Sequence, residues 1–139
     1  EKNLKLGKDY LYFLDSTIVR IWYITDIAKK VLSNAVMNNP IFRKNGVFID
    51  DKTAKKERIP FPDRRYGDLL WMANLGILIF PDFFHLKHPY KGMHGYDVNH
   101  FSSKGTCLVE SNQIEKIEDI ELRDVYKILK TELEINKNE

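Results

Sequence analysis

The chain has 139 residues, of which 43% are hydrophobic and 30% are charged, as in a globular domain with a core rather than a disordered chain. Lys and Arg (22) nearly balance Asp and Glu (20), for a net charge of +2, so no nucleic acid partner or membrane surface is expected from charge. Cys107 is the single cysteine, which excludes a disulfide within the chain and leaves the compartment open.

Two segments near the N-terminus have the composition of β-strands. Residues 9–14 and 18–24 are rich in aromatic and β-branched side chains, and the turn-forming residues 15–17 separate them. This pattern predicts a β-hairpin. Thr25-Asp26 then precedes apolar residues at spacings of three and four, which predicts a capped amphipathic helix ending near residues 38–40.

The middle of the chain alternates short strands with polar segments. A strand is predicted at residues 47–49, and two more at 68–73 and 76–80, joined by a turn into a second hairpin. The mixed-charge residues 50–58 lack an apolar face, so we interpret them as a solvated loop or helix edge. A less favoured alternative is a basic flap that meets an anionic substrate through four side chains: Lys52, Lys55, Lys56 and Arg58.

Residues 105–110 are predicted as a last strand, and a helix is predicted from about Leu122. Together these elements indicate an α+β fold, a mixed, largely antiparallel sheet with helices packed on it, in one domain over residues 1–139. No apolar run is long enough to span a membrane and no signal-peptide core is present, so the location in the cell stays unknown. The chain starts at Glu1 rather than Met, and we expect a processed product or a fragment.

All four histidines lie in a predicted loop at residues 81–103, a length that is uncommon unless a loop binds something or is disordered. His94 lies between two glycines, which let the backbone approach another group closely and aim an imidazole. An exposed histidine without a partner is the simpler interpretation. A self-contained zinc site from His85, His88 and His94 is not favoured, because no helix or knuckle would orient the first two.

The order of several motifs resembles a known family. Residues 65–81, which begin Arg65-Tyr66-Gly67-Asp68, and the later Lys91-Gly92-Met93-His94-Gly95-Tyr96-Asp97 resemble the last part of the type I phosphodiesterase/nucleotide pyrophosphatase family of the alkaline phosphatase superfamily. Residues 13–22 look like the segment ahead of this strand, and residues 120–135 look like the terminal helix of the family. The resemblance implies the C-terminal part of an alkaline-phosphatase-like α/β catalytic domain.

The resemblance also implies a chemistry. Members of the family use two zinc ions to hydrolyse a small phosphodiester or nucleotide pyrophosphate, and the ligand histidine of the His-Gly-Tyr-Asp loop falls on His94. The family's nucleophile and remaining ligands do not occur in these residues, and neither Ser16-Thr17 nor Ser102-Ser103 has flanking ligands that would let it replace the nucleophile. We therefore expect this chain alone to supply one zinc ligand, no catalytic residue and no activity.

The sequence departs from the family pattern at Met93, where threonine is common, and at Glu110-Ser111-Asn112, where a small residue and Gly-Pro are usual. These differences leave a phosphomonoester or phosphonate substrate open. The alternative hypothesis is a non-catalytic α+β module for binding or self-association. A sheet cut from a larger domain would leave an edge or a face uncovered, so a homodimer is also an open possibility.

Overall fold

The computed structural model describes residues 3–56, 59, 63–110 and 119–135. The chain divides into two compact units, Glu1–Gly105 and Thr106–Glu139, and each is described by itself. The larger unit contains the strands β1 (Tyr10–Leu14), β2 (Ile18–Tyr23), β3 (Gly46–Ile49) and β4 (Leu69–Ala73), the helices α1 (Asp26–Met37), α2 (Pro40–Asn45) and α3 (Asp51–Lys56), and a 3-10 turn (Phe101–Ser103). The smaller unit contains α4 (Leu122–Ile135).

The four strands form one sheet in the order β1-β2-β4-β3. Each neighbouring pair of these strands is antiparallel. The hairpin of β1 and β2 places Tyr12 opposite Ile21 and Leu14 opposite Val19. These observations confirm the first hairpin, the short strand before residue 50 and the α+β class.

One face of the sheet carries the core. Because side chains alternate along a strand, Val19 of β2 lies beside Trp71 of β4 on this face, and both are buried with Ile21. Leu32 and Val36 of α1 pack against this cluster. Fully burying a large apolar side chain stabilises a fold by about 1.5–3 kcal/mol, so this cluster and the helix packed on it both stabilise the unit.

The start of α1 follows the signal in the sequence. Thr25 is the N-cap, and its Oγ1 accepts a hydrogen bond from the backbone N of Ala28 at 3.2 Å. Asp26 adds a negative charge to the first turn, where it interacts favourably with the helix dipole. The helix ends at Met37, so the predicted helix is confirmed at both ends.

Two of the predicted strands do not form in the part of the chain that the structure describes. Residues 76–80 do not pair with β4, because β2 and β3 already occupy both edges of that strand. The backbone N of Ile79 instead donates to the carbonyl oxygen of Ser16 at 2.8 Å, which places this segment against the turn of the β1–β2 hairpin. The predicted strand at 105–110 was also wrong, since these residues are exposed and irregular and pair with no described strand.

Two short helices lie in the middle of the chain. The side chain of Asn39 caps α2 by accepting from the backbone N of Ile41 at 2.8 Å, and Pro40 follows it at the first helical position. The sequence analysis took this Asn-Pro signal only as the end of the preceding helix and missed α2. The mixed-charge segment, predicted as a solvated loop or helix edge, forms α3 with Ala54 buried. Arg58, one of the four residues of the alternative basic flap, lies outside the described residues.

In the smaller unit, α4 confirms the predicted C-terminal helix. Lys127 Nζ donates to Asp124 Oδ1 at 2.7 Å across one turn. Within the described ranges, no helix of either unit has the length and apolar composition that crossing a membrane requires.

Candidate functional site

The loop at residues 81–103 is attached to the turn between β1 and β2. Ser16 and Thr17 form this turn, and both are buried. The two side chains bind different parts of the long loop: Ser16 contacts the segment that begins at Asp82, and Thr17 contacts the segment around His94. One turn of the hairpin therefore positions both histidine-bearing parts of the loop.

Asp82 is the centre of a buried hydrogen-bond cluster. Ser16 Oγ donates to Asp82 Oδ2 at 2.8 Å, and His85 Nδ1 lies 3.0 Å from the same oxygen. Asp82 Oδ1 accepts from the backbone N of Phe84 at 2.8 Å and of His85 at 2.7 Å. Both carboxylate oxygens are thus satisfied, as a buried charged group requires.

These contacts change the acidity of Asp82. Burial opposes ionisation, but the hydrogen bonds from His85, from Ser16 and from the two backbone N–H groups outweigh it and lower the pKa of Asp82 from 3.8 to about 2. The carboxylate is therefore charged at neutral pH.

The hydrogen bonds of Ser16 are not those of a nucleophilic serine. A serine nucleophile needs a base that accepts its proton, with the base oriented by a third group. Here the hydroxyl of Ser16 donates directly to Asp82, and His85 Nδ1, at 3.3 Å from Ser16 Oγ, faces the same carboxylate. The arrangement joins the loop to the hairpin turn and gives Ser16 a structural role.

The segment around His94 is anchored on both sides of Gly95. Thr17 Oγ1 donates to the carbonyl oxygen of Gly95 at 2.9 Å, and the hydroxyl of Tyr96 donates to the carbonyl oxygen of Ile77 at 3.1 Å. The ring of Tyr96 packs against the core. Gly95 has φ +92°, and an added Cβ would lie 3.0 Å from Thr17 Oγ1, so glycine is needed here for its conformation and its size.

His94 is exposed beside this anchor, and its ring makes no hydrogen bond within the described residues. The neighbouring Met93 lines a small, mainly apolar pocket against the Asp82 cluster, with Ile79 and Tyr90 among its walls. His85 lines the polar side of this pocket with Ser16 and Asp82, and it makes an edge contact with the ring of Tyr90, the centroids being 4.3 Å apart.

The four histidines are not brought together. The side chain of His85 is 19% exposed and faces Asp82, His88 and His94 are exposed, and the Nδ1 of His100 accepts from the backbone N of Ser102 at the start of the 3-10 turn. No group of three His, Cys, Asp or Glu side chains able to hold a metal is found in the part of the chain that the structure describes. His94 alone fits one position of a zinc shell, and these residues do not complete it.

The sequence analysis found His85 and His94 but missed Asp82 and the two hairpin residues as partners. A local signal for Asp82 exists, since an Asp after Pro that binds backbone N–H groups two and three residues on is a common turn former. No local signal joins Asp82 to Ser16, which lies 66 positions earlier. Comparisons of the chain with family models, curated proteins and solved structures give no match.

Proposed function

We propose that this chain is the C-terminal part of a zinc-dependent phosphodiesterase or nucleotide pyrophosphatase, in which His94 is one metal ligand. The proposal is supported by the order of motifs that resembles the family and by one structural observation. That observation is the exposed imidazole of His94 on a segment held by Thr17 and Tyr96. A ligand must be held in a fixed place with its ring accessible, and His94 meets both conditions.

Zinc in a catalytic site takes three protein ligands and keeps one position open. His94 supplies one ligand, so the others have to come from outside the described residues. The metal would act as a Lewis acid on a phosphoryl group. The substrate under this proposal is a small phosphodiester or a nucleotide, and this chain by itself is inactive.

A second candidate function is a non-catalytic module for binding or self-association. Apolar side chains on both edge strands of the sheet favour it: Leu11 of β1 is 47% exposed and Val47 of β3 is 49% exposed. Edge strands with exposed apolar side chains are common sites of association. A homodimer formed through the edge of β3 stays a prediction under both candidates.

The zinc proposal is tested by replacing His94 in a longer form of the protein that carries the upstream ligands. We expect His94→Ala to lower zinc content and to reduce hydrolysis of a chromogenic phosphodiester by about 100-fold or more, because a ligand is lost. Zinc would be measured by atomic absorption on the purified protein and activity by the release of the chromophore.

His88→Ala is the matched control, because His88 is also an exposed histidine of the same loop. It is expected to leave zinc content and activity unchanged. Full zinc content and full activity in His94→Ala would show that the segment around His94 is only scaffold and would reject its role as a ligand.

Self-association is tested by light scattering over a range of concentrations. We expect a mass that rises toward twice that of one chain, and we expect Val47→Lys to suppress the rise because a charge on an edge strand opposes pairing. Lys substitution at the exposed residue Leu86 of the long loop is the control for added charge. The mass of a single chain at every concentration would contradict the homodimer.

A further inference from the structure

Arg20 lies on the sheet face opposite the core, between two aromatic rings. Its guanidinium carbon is 5.8 Å from the ring centroid of Phe13 and 5.7 Å from that of Tyr66. Phe13 is its direct cross-strand partner on β1. Two rings at this distance stabilise a cation from both sides and limit its rotation.

The loop that carries Tyr66 is held in place by a network of its own. Arg64 forms an ion pair with Asp68, and its Nη2 donates to the carbonyl oxygen of Tyr23 at 2.7 Å. The indole Nε1 of Trp22 donates to the carbonyl oxygen of Arg64 at 2.7 Å. Tyr66, between the two members of the ion pair, is therefore fixed over Arg20.

Arg20 has no anionic partner among the described residues. Its Nε is buried without a hydrogen bond. The side chain as a whole is partly exposed, and its two terminal nitrogens make no hydrogen bond within the described residues. Asp68, two residues before Leu70, is already bound by Arg64 and by the backbone N of Tyr23 at 2.7 Å. Burying a cation without a paired anion costs desolvation free energy and destabilises the fold.

The strand residues around Arg20 are apolar and differ in exposure: Leu70 is buried, whereas Leu11 and Val47 on the two edge strands are exposed. The pairing register puts Leu70 beside Arg20, and Met72 beside Ile18, on this face. We call this side of the sheet the Arg20 face. Its strand residues are Leu11, Phe13, Ile18, Arg20, Trp22, Val47, Ile49, Leu70 and Met72. One positive charge stands among eight apolar side chains, and none of these strand residues is acidic.

This charge pattern indicates whether a second copy of the chain or a segment with a carboxylate is the better partner for this face. If a second copy of the chain docked with the same face, both Arg20 side chains would be buried in one apolar interface with no carboxylate on either strand surface to pair them. A segment with a carboxylate flanked by apolar side chains would instead pair the cation and cover the exposed apolar residues of the face.

We propose that the Arg20 face binds a polypeptide segment of another protein that places one Asp or Glu carboxylate on the terminal nitrogens of Arg20, with apolar side chains on either side of that carboxylate. The clamp of Phe13 and Tyr66 orients the guanidinium, so the carboxylate meets a fixed pair of donors. This surface is separate from the segment around His94, whose anchor Tyr96 packs on the core face.

The test uses two capped peptides, Ac-Leu-Glu-Leu-NH2 and Ac-Leu-Gln-Leu-NH2, titrated into the ¹⁵N-labelled chain. The resonances followed are Arg20 Nε–Hε and the indole Nε1–H of Trp22. We expect both to shift with the Glu peptide, which should bind about tenfold more tightly than the Gln peptide because it adds a charge-assisted hydrogen bond. This comparison needs no variant of the chain.

Arg20→Gln is expected to remove the preference for the Glu peptide. Arg65→Gln is the matched control, since it removes a charge from the same loop at an exposed residue paired with Asp63, and it should keep the preference. Equal binding of the two peptides, or a Glu preference that survives Arg20→Gln, would overturn the proposal. A Trp22 shift that depends on protein concentration without peptide would also overturn it, because a second copy would then cover the face.

Discussion

Gly46→Ala is expected to destabilise the fold by about 3 kcal/mol, the upper end of the usual cost of overpacking a core. Gly46 opens β3 and is buried, and an added Cβ would overlap the carbonyl oxygen of Met72 and the six-membered ring of Trp71. Neither can move easily, because Met72 belongs to β4, which is paired on both sides, and Trp71 Nε1 donates to the carbonyl oxygen of Phe42 at 3.0 Å. Urea unfolding followed by tryptophan fluorescence measures the change.

Gly92→Ala provides the control with the same chemical change. Gly92 is exposed, and no atom lies within 4 Å of an added Cβ. We expect its free energy of unfolding to stay within about 0.5 kcal/mol of the wild-type value. If Gly46→Ala is as stable as Gly92→Ala, β3 does not pack on Trp71 as described.

Asp82→Asn is expected to destabilise the fold by about 2 kcal/mol at pH 7. An amide can replace the oxygen that accepts from the backbone N–H groups, but its NH2 group cannot accept from Ser16 Oγ. The buried hydroxyl then loses its charged acceptor and keeps only the longer contact with His85 Nδ1 at 3.3 Å. Chemical denaturation at pH 7 measures the loss. Asp97→Asn is the control, because Asp97 is exposed and accepts from the backbone N of Asn99 at a loop turn; it should cost much less.

The contribution of Asp82 to the free energy of unfolding is expected to depend on pH. The pKa of Asp82 is lowered from 3.8 to about 2 in the folded chain, so its charged form stabilises the fold above about pH 4. This contribution is lost as the pH falls from about 4 to 2, where the folded state must also take up the proton. The difference in stability between the wild-type chain and Asp82→Asn should therefore shrink over that interval. A constant difference down to pH 2 would show that the charge of Asp82 does not stabilise the cluster.

Both predictions depend on contacts between segments that are far apart in the chain, and this is where prediction from the sequence failed. The short strand predicted at residues 47–49 was correct, and in the structure Gly46 begins it. The reason for a glycine there is the ring of Trp71, which only the pairing of β3 with β4 brings close. The predicted second hairpin was wrong for a related reason, since its first strand, β4, is paired on both sides and has no edge left for residues 76–80.

In the candidate site, too, the sequence indicated local features but not the contacts between distant segments. The glycines beside His94 indicated an exposed loop histidine, and the structure places it so. The sequence did not indicate that Thr17 would hold Gly95, or that Asp82 would bind both Ser16 and His85. Those contacts arise because the segment after β4 crosses the turn of the first hairpin.

The sequence by itself therefore determined the β1–β2 hairpin, α1 with its Thr25 cap, and α4, because turn residues, capping residues and apolar spacing act between neighbours in the chain. Only the tertiary structure decided which strands pair with β4, which polar groups are buried together around Asp82, and which face of the sheet presents Arg20. Burial and strand pairing join residues that are distant in sequence, and no local pattern records which of them will meet.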